Sequence, residues 1–251
     1  MTEQSTALAA GEASPATGEV FRQDAYAKSC RACITRVDGA GLRLDRTVFY
    51  PLGGGQPGDT GELVLDDGSA LRIVDTRKGE APGEIVHIPE TPADPGLAGC
   101  EVTARIDWER RHRLMRMHTC LHLLCSLIPA PVTGGSIRDG SGRLDFDLPE
   151  STLDKADLTD RLNRLVAANH PVTSRWISEE ELDANPSLVR TMSVAPPRGQ
   201  GRVRVLEIEG VDLQPCGGTH VASIGEIGRV RVTKIEKKGR QNRRVIVAFD
   251  G

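Results

Sequence analysis

No run of apolar residues in this chain approaches the ~20 that a membrane-spanning helix requires, so spanning a membrane is not expected. The mean hydropathy of -0.30 agrees with that exclusion. The first residues carry no basic segment, and the apolar stretch Ala7 to Ala10 is too short for the core of a secretion signal. A cytoplasmic location is expected in consequence, with the six cysteines reduced, serving as thiols or metal ligands and having no disulfide partner. A disulfide scaffold is also unnecessary, because 251 residues can bury roughly 70–75% of their unfolded surface in one large or two modest domains.

A charge excess is missing as well. The 32 basic and 35 acidic residues leave a net charge of -3, which taken alone argues against a nucleic-acid partner. The average conceals a gradient, since Arg229 to Arg244 holds eight Lys or Arg and one acid, Glu236. Distant acids are screened beyond about 8 Å at physiological salt, so this stripe, which includes Lys237, Lys238, Arg243 and Arg244, can hold phosphates. The alternative is a solvated, charged pair of strands.

Residues 1–20 are rich in Ala, Ser, Thr, Glu and Gly with almost nothing to bury, which predicts a disordered tail. Residues 21–105 read as a small β-barrel-like domain, because short β-like segments (33–37, 42–49, 61–65, 71–76, 83–88 and 99–104) are punctuated by Gly, Pro and Asp. At Asp107 the texture changes. An Asp N-cap precedes a run in which Leu114, Met117, Leu121, Leu124 and Ile128 recur at helical spacing until Pro129 stops it. Strand-like 132–137 and 143–148 follow, then an amphipathic helix from about 153 to 169, a strand over 172–177 and a short helix capped by Ser178. Strands over 202–209, 228–235 and 243–249 complete the pattern. Residues 106–251 are thus expected to form an α+β domain, and the chain as a whole is α+β without internal repeats.

His118 and His122 are four apart on the predicted helix, which places both imidazoles on one face about a turn apart. Far along the chain, Cys216 and His220 repeat that offset in a glycine-rich loop after Pro215. Three imidazoles and one thiolate suit Zn²⁺. Thr119 follows His118 where a zincin peptidase would carry its general-base Glu, so that class is excluded. Cys30 and Cys33 form a lone CxxC without a second pair to close a zinc ribbon and are expected as core thiols, as are Cys120 and Cys125.

The other dense motif is Gly53-Gly54-Gly55-Gln56 within FYPLGGGQPGDTG. Three glycines permit close backbone approach or positive φ, and the Gln56 amide can donate and accept hydrogen bonds. No Gly-Lys-Ser/Thr follows, so it is not a phosphate-binding P-loop. A hairpin turn is an equally good reading.

Taken together, RTVFYPLGGGQPGDTG, HTCLH, GVDLQPCGGTH and GRVRVTKIEKKGRQNRR resemble the longer form of the free-standing alanyl-tRNA editing proteins of AlaX type, relatives of the editing domain of alanyl-tRNA synthetase. The resemblance runs from about residue 25 to the C-terminus and includes no class II synthetase catalytic core. It implies a trans-editing hydrolase that deacylates tRNA(Ala) mischarged with serine, and by extension glycine, with zinc on His118, His122, Cys216 and His220. It also puts the loop of Gly53, Gly54, Gly55 and Gln56 at the substrate. Gln56 is the expected contacting group, and Thr47, nine residues earlier on the preceding strand, is a weaker catalytic candidate whose alternative is a simple β-strand threonine. Arg110, Arg111, Arg113 and Arg116 crowd the positive end of the His118 helix. Either acidic neighbours or tRNA phosphates must compensate them, and Arg111, seven residues before His118, shares its face. The alternative to an enzyme is a zinc-stabilised RNA-binding module of the same fold.

Overall fold

The computed structural model describes residues 16–150, 153–192, 199 and 201–250. In chain order its elements are β1 (Gly18–Glu19), α1 (Val20–Gln23), β2 (Ser29–Asp38), β3 (Gly41–Leu44), β4 (Arg46–Thr47), β5 (Gly61–Leu65), β6 (Ala70–Lys78), β7 (Ile85–Pro89), β8 (Glu101–Ile106), α2 (Trp108–Leu127), β9 (Val132–Arg138), β10 (Ser141–Asp147), α3 (Lys155–Ala168), β11 (Val172–Ser178), α4 (Glu179–Ala184), β12 (Arg202–Ile208), β13 (Asp212–Pro215), β14 (Val230–Lys238) and β15 (Asn242–Phe249). Strands dominate, and helices are few.

Strands β2, β3, β7, β6, β5 and β8 close into a six-stranded barrel, each paired antiparallel with its neighbours. Closure satisfies both edges that an open sheet would leave unpaired. Ile34, Leu42, Leu44, Leu63, Ile73, Val102 and Ala104 are buried inside it. Residues 16–20 do not belong to a disordered tail. Thr17 N donates to Gly83 O at 3.0 Å, and Gly18 and Glu19 pair in parallel with Arg46 and Thr47. The next residue but one, Phe21, is buried edge-on against Tyr50. Composition misjudged this stretch because a two-residue ladder beside a single aromatic anchor needs no apolar run. Residues 1–15 lie outside the described residues.

Helix α2 starts where Asp107 accepts from Arg110 N at 3.1 Å and ends just before Pro129. Its second half is buried on almost every side: Leu114, Met115, Met117 and all residues from His118 to Cys125. An amphipathic stripe is not enough for a helix packed between the four-stranded sheet β14-β15-β10-β9, helix α3 and the loop after β13. Cys120 and Cys125 fill this core with Phe146, Leu162, Ile224 and Val247. Helix α3 is capped by Asp154 and closed by Asn169 in the left-handed region, and Leu158, Leu162 and Val166 face inward. The remaining sheet, β11-β12-β13, carries α4 over one side through Ile177, Leu182, Val203 and Val205.

Candidate metal centre

Helix α2 presents His118 and His122, and the loop leaving β13 returns Cys216 and His220 to the same point. Their donor atoms all lie within 4.8 Å of one another. Cys216 Sγ is 3.6 Å from His118 Nε2 and 3.1 Å from His220 Nε2. The loop presses so closely on the helix that a Cβ at Gly218 would overlap the His118 ring, so glycine is required there.

The outer nitrogen of every imidazole is held. His118 Nδ1 lies 2.9 Å from Gln56 Oε1, and His122 Nδ1 lies 3.3 Å from Asp212 Oδ2. His220 Nδ1 lies 3.1 Å from Thr119 Oγ1, whose own proton goes to Met115 O at 3.0 Å. All three partners therefore accept from Nδ1–H, which leaves each Nε2 lone pair for a cation at the centre. Burial disfavours charge at Cys216, yet the neighbouring imidazoles outweigh it and hold the thiol well below its ordinary range. Burial and the charge of His118 bring His220 down to about 3. At His122 burial is overcome by hydrogen bonds to Asp212 and Cys216, which push it up to about 9. Three imidazoles and one half-buried thiol converge on one point, and that donor set fits a metal ion in that place.

Gln56 is fully buried rather than open to a ligand. Its Oε1 accepts from His118 and from Thr219 N at 3.2 Å, and its Nε2 donates to Thr219 Oγ1 at 2.8 Å. The glycines before it form the hairpin turn that the sequence left open, with Gly53 and Gln56 exchanging backbone hydrogen bonds at 3.1 and 3.0 Å and Gly54 and Gly55 at φ 58° and 81°. Gly55 O accepts from Ile137 N at 2.8 Å, so the backbone of the turn approaches β9 closely.

Two further candidates lie inside the fold. Thr47 is buried in the barrel, 2.8 Å from His87 Nε2, and its Oγ1 accepts from Phe49 N at 3.0 Å. Arg111 is fully buried, paired with Asp59 and donating to Val48 O at 2.6 Å and Ala25 O at 3.1 Å. Its neighbours are likewise compensated from within: Arg113 by Asp139, Arg110 by Gly58 O and Arg116 by Ile227 O. In the C-terminal stripe Arg244 is paired with Asp145 and Arg243 donates to Pro149 O, whereas Lys237 and Lys238 are exposed and Lys238 sits 3.2 Å from Glu236.

Sequence reasoning missed Asp59, Thr119, Asp212 and Thr219. Asp212 and Thr219 lie inside the motif that carries Cys216 and His220, and Asp59 lies inside the glycine-rich motif. An acid or hydroxyl embedded beside ligands in an otherwise apolar setting is the signal that could have found them.

Residues 203–246 match the model for the threonyl and alanyl tRNA synthetase second additional domain, and residues 8–110 match the model for tRNA synthetases class II (A). The described part of the latter segment forms the barrel and its N-terminal approach. Over 238 residues the chain is 36% identical to the alanyl-tRNA editing protein AlaX-M of Methanosarcina mazei, covering 91% of this chain and 95% of that protein. The AlaX-M protein of Saccharolobus solfataricus is 33% identical over 233 residues, covering 91% and 97%. The alanine–tRNA ligase of Pyrobaculum neutrophilum is 37% identical over 240 residues, covering 89% of this chain and 26% of the ligase. With the four donors, the glycine-rich turn and this likeness along nearly its whole length, the chain belongs to the AlaX-M family of alanyl-tRNA editing proteins.

Proposed function

We propose that this chain is a trans-acting deacylase that hydrolyses the ester joining serine or glycine to the 3′-terminal adenosine of tRNA for alanine. The observation that carries the reading is the cluster of His118, His122, Cys216 and His220 with every outer ring nitrogen held, in a chain similar to AlaX-M proteins over 91% of its length. Three nitrogens and one thiolate are the donors zinc prefers. When bound, the ion supplies a fixed positive charge that can orient the aminoacyl group and polarise its ester carbonyl.

An aminoacyl ester is already activated, so the chain's own residues have to hold it and a water in register. Gln56 acts in this reading as a positioning residue through His118, and Gly53, Gly54 and Gly55 form the turn that carries it. Lys237 and Lys238 take phosphates, while Arg243 and Arg244 brace β15 behind them. Residues 21–105 and 106–251 are two domains joined by the Gln56 and Arg111 contacts. Serine offers a hydroxyl that alanine lacks, and a site that hydrogen-bonds it can spare alanine by a large factor; glycine differs by one methyl, worth only ~1–3 kcal/mol. A purely binding module is not favoured, because the relatives matched from end to end are named as editing proteins.

The test is deacylation of tRNA(Ala) charged with serine, glycine or alanine by the purified, metal-replete protein. Serine should be released fastest and alanine spared. Binding of all three charged tRNAs without release of any amino acid would replace the deacylase by the binding module.

A further inference from the structure

Trp176 is one of four large apolar side chains that stand exposed among the described residues, at 46%, on the outer strand β11 of the sheet β11-β12-β13. It pairs with Arg204 of β12, and Arg204 O accepts from Cys216 N at 3.1 Å. Trp176 and Arg204 therefore face each other across the sheet, with the chain leaving β13 at Cys216 bonded to Arg204. Directly opposed residues of antiparallel strands project to the same face, so the indole shares a face with Arg204, whose carbonyl is bonded to the backbone of a donor of the metal centre, two strand spacings or about 10 Å away.

The ground between them is basic. The Arg202 guanidinium lies 4.6 Å from the centroid of the indole ring. Arg204 Nη1 donates to Cys216 O at 2.8 Å and to Gly218 O at 3.2 Å, and Arg22 Nη1 donates to Gly217 O at 3.1 Å. A half-exposed indole with a guanidinium over its ring, and Arg204 opposite it on the next strand, matches the pairing of aromatic plane and Arg that stacks unpaired bases and tracks a phosphate backbone. The α4 side of the sheet already has its apolar cover, so this face has no structural need of an exposed Trp.

We propose that Trp176, backed by Arg202, is the stacking platform for an unpaired base at the 3′ end of the RNA substrate, and so holds the nucleoside whose ribose ester reaches the donor cluster. The assignment rests on the deacylase reading for the identity of that RNA. Because it is a binding contact on a base rather than on the reacting ester, it serves ground state and transition state equally, and its loss raises KM and leaves kcat alone.

The experiment compares wild type, Trp176→Ala and Trp176→Phe in two assays: binding of a fluorescently labelled ribo-oligonucleotide ending in CCA, and deacylation of serine-charged tRNA(Ala). Trp176→Ala should weaken oligonucleotide binding and raise KM by about 5- to 150-fold, the equivalent of the ~1–3 kcal/mol of one base–aromatic stack, with kcat unchanged. Trp176→Phe keeps a ring and should recover most of the loss. Wild-type binding and KM in Trp176→Ala, or Phe as poor as Ala, would overturn the platform while leaving an active deacylase intact. Trp176-dependent binding by a wild-type protein that releases no amino acid would instead uphold the platform and overturn the deacylase.

Discussion

Two buried side chains show how polar chemistry is committed to the fold: His87, which faces the candidate Thr47, and Arg111. His87 is fully buried, with Nδ1 3.2 Å from Leu42 O and Nε2 2.8 Å from Thr47 Oγ1. That arrangement suits a neutral ring that donates to the carbonyl and accepts from the hydroxyl, and burial brings its pKa down from 6.5 to about 4. The unfolded chain takes up a proton below 6.5 that the fold refuses, so stability falls as pH drops from 6.5 and this loss levels off below 4. The full window is worth about 3 kcal/mol. Denaturant titrations at several pH values should show a shallower slope between pH 6.5 and 4 in His87→Gln than in wild type, and equal slopes would refute the assignment. Arg111 is the second case. Its face on α2 was legible from the seven-residue offset to His118, but its partner Asp59 lies 52 positions earlier, beyond any local pattern. Arg111→Ala strands a buried carboxylate and should cost about 3–5 kcal/mol in chemical denaturation. A phosphate-binding Arg would instead leave stability intact and flatten the salt dependence of tRNA binding.

Elements were read best where capping and periodicity agreed. Helix α2 begins after Asp107 and stops before Pro129, and α4 begins at Ser178, whose side chain accepts from Glu181 N at 3.0 Å. Strand β13, only four residues long and ending in a proline, carries no alternation that could separate it from a loop, yet it delivers Cys216. The turn after it depends on Gly218 more than on either ligand's own position. Gly218→Ala should displace the loop from His118 and lower metal affinity, measured by competition with a chelator. Gly217→Ala is the matched control: a Cβ there would meet only the far end of Arg22, at 3.3 Å. Equal affinity in the two variants would mean that the loop adapts and that the close packing at Gly218 is incidental.

At the scale of the molecule, the barrel and the metal centre share one hydrogen-bonded path from Gln56 to His118 and Thr219. Partners that fix the outer nitrogen of a ligating His typically carry 10- to 100-fold in metal affinity. Gln56→Ala and Asp212→Asn should each lower affinity by about that factor, read directly by metal competition, with the barrel still folded by circular dichroism. Removing the metal should lower the melting temperature of wild type, since the ion ties α2 to the Cys216 loop, and Cys216→Ser should melt at one temperature with or without added zinc. A wild-type melting temperature indifferent to metal would count against the centre. The sequence by itself determined the mixture of strands and helices, most strands, the long helix with its cap and stop, and the four donors as two pairs, because those follow from local periodicity, from turn residues and from side-chain chemistry at short spacing. Only the tertiary structure decided that the two pairs converge, that Gln56 stands behind His118, that Thr47 and Arg111 are internal, and that residues 16–20 are ordered. Each of those outcomes depends on partners tens to hundreds of positions away, and burial alone determines whether a polar side chain is free to meet a substrate or committed to the fold.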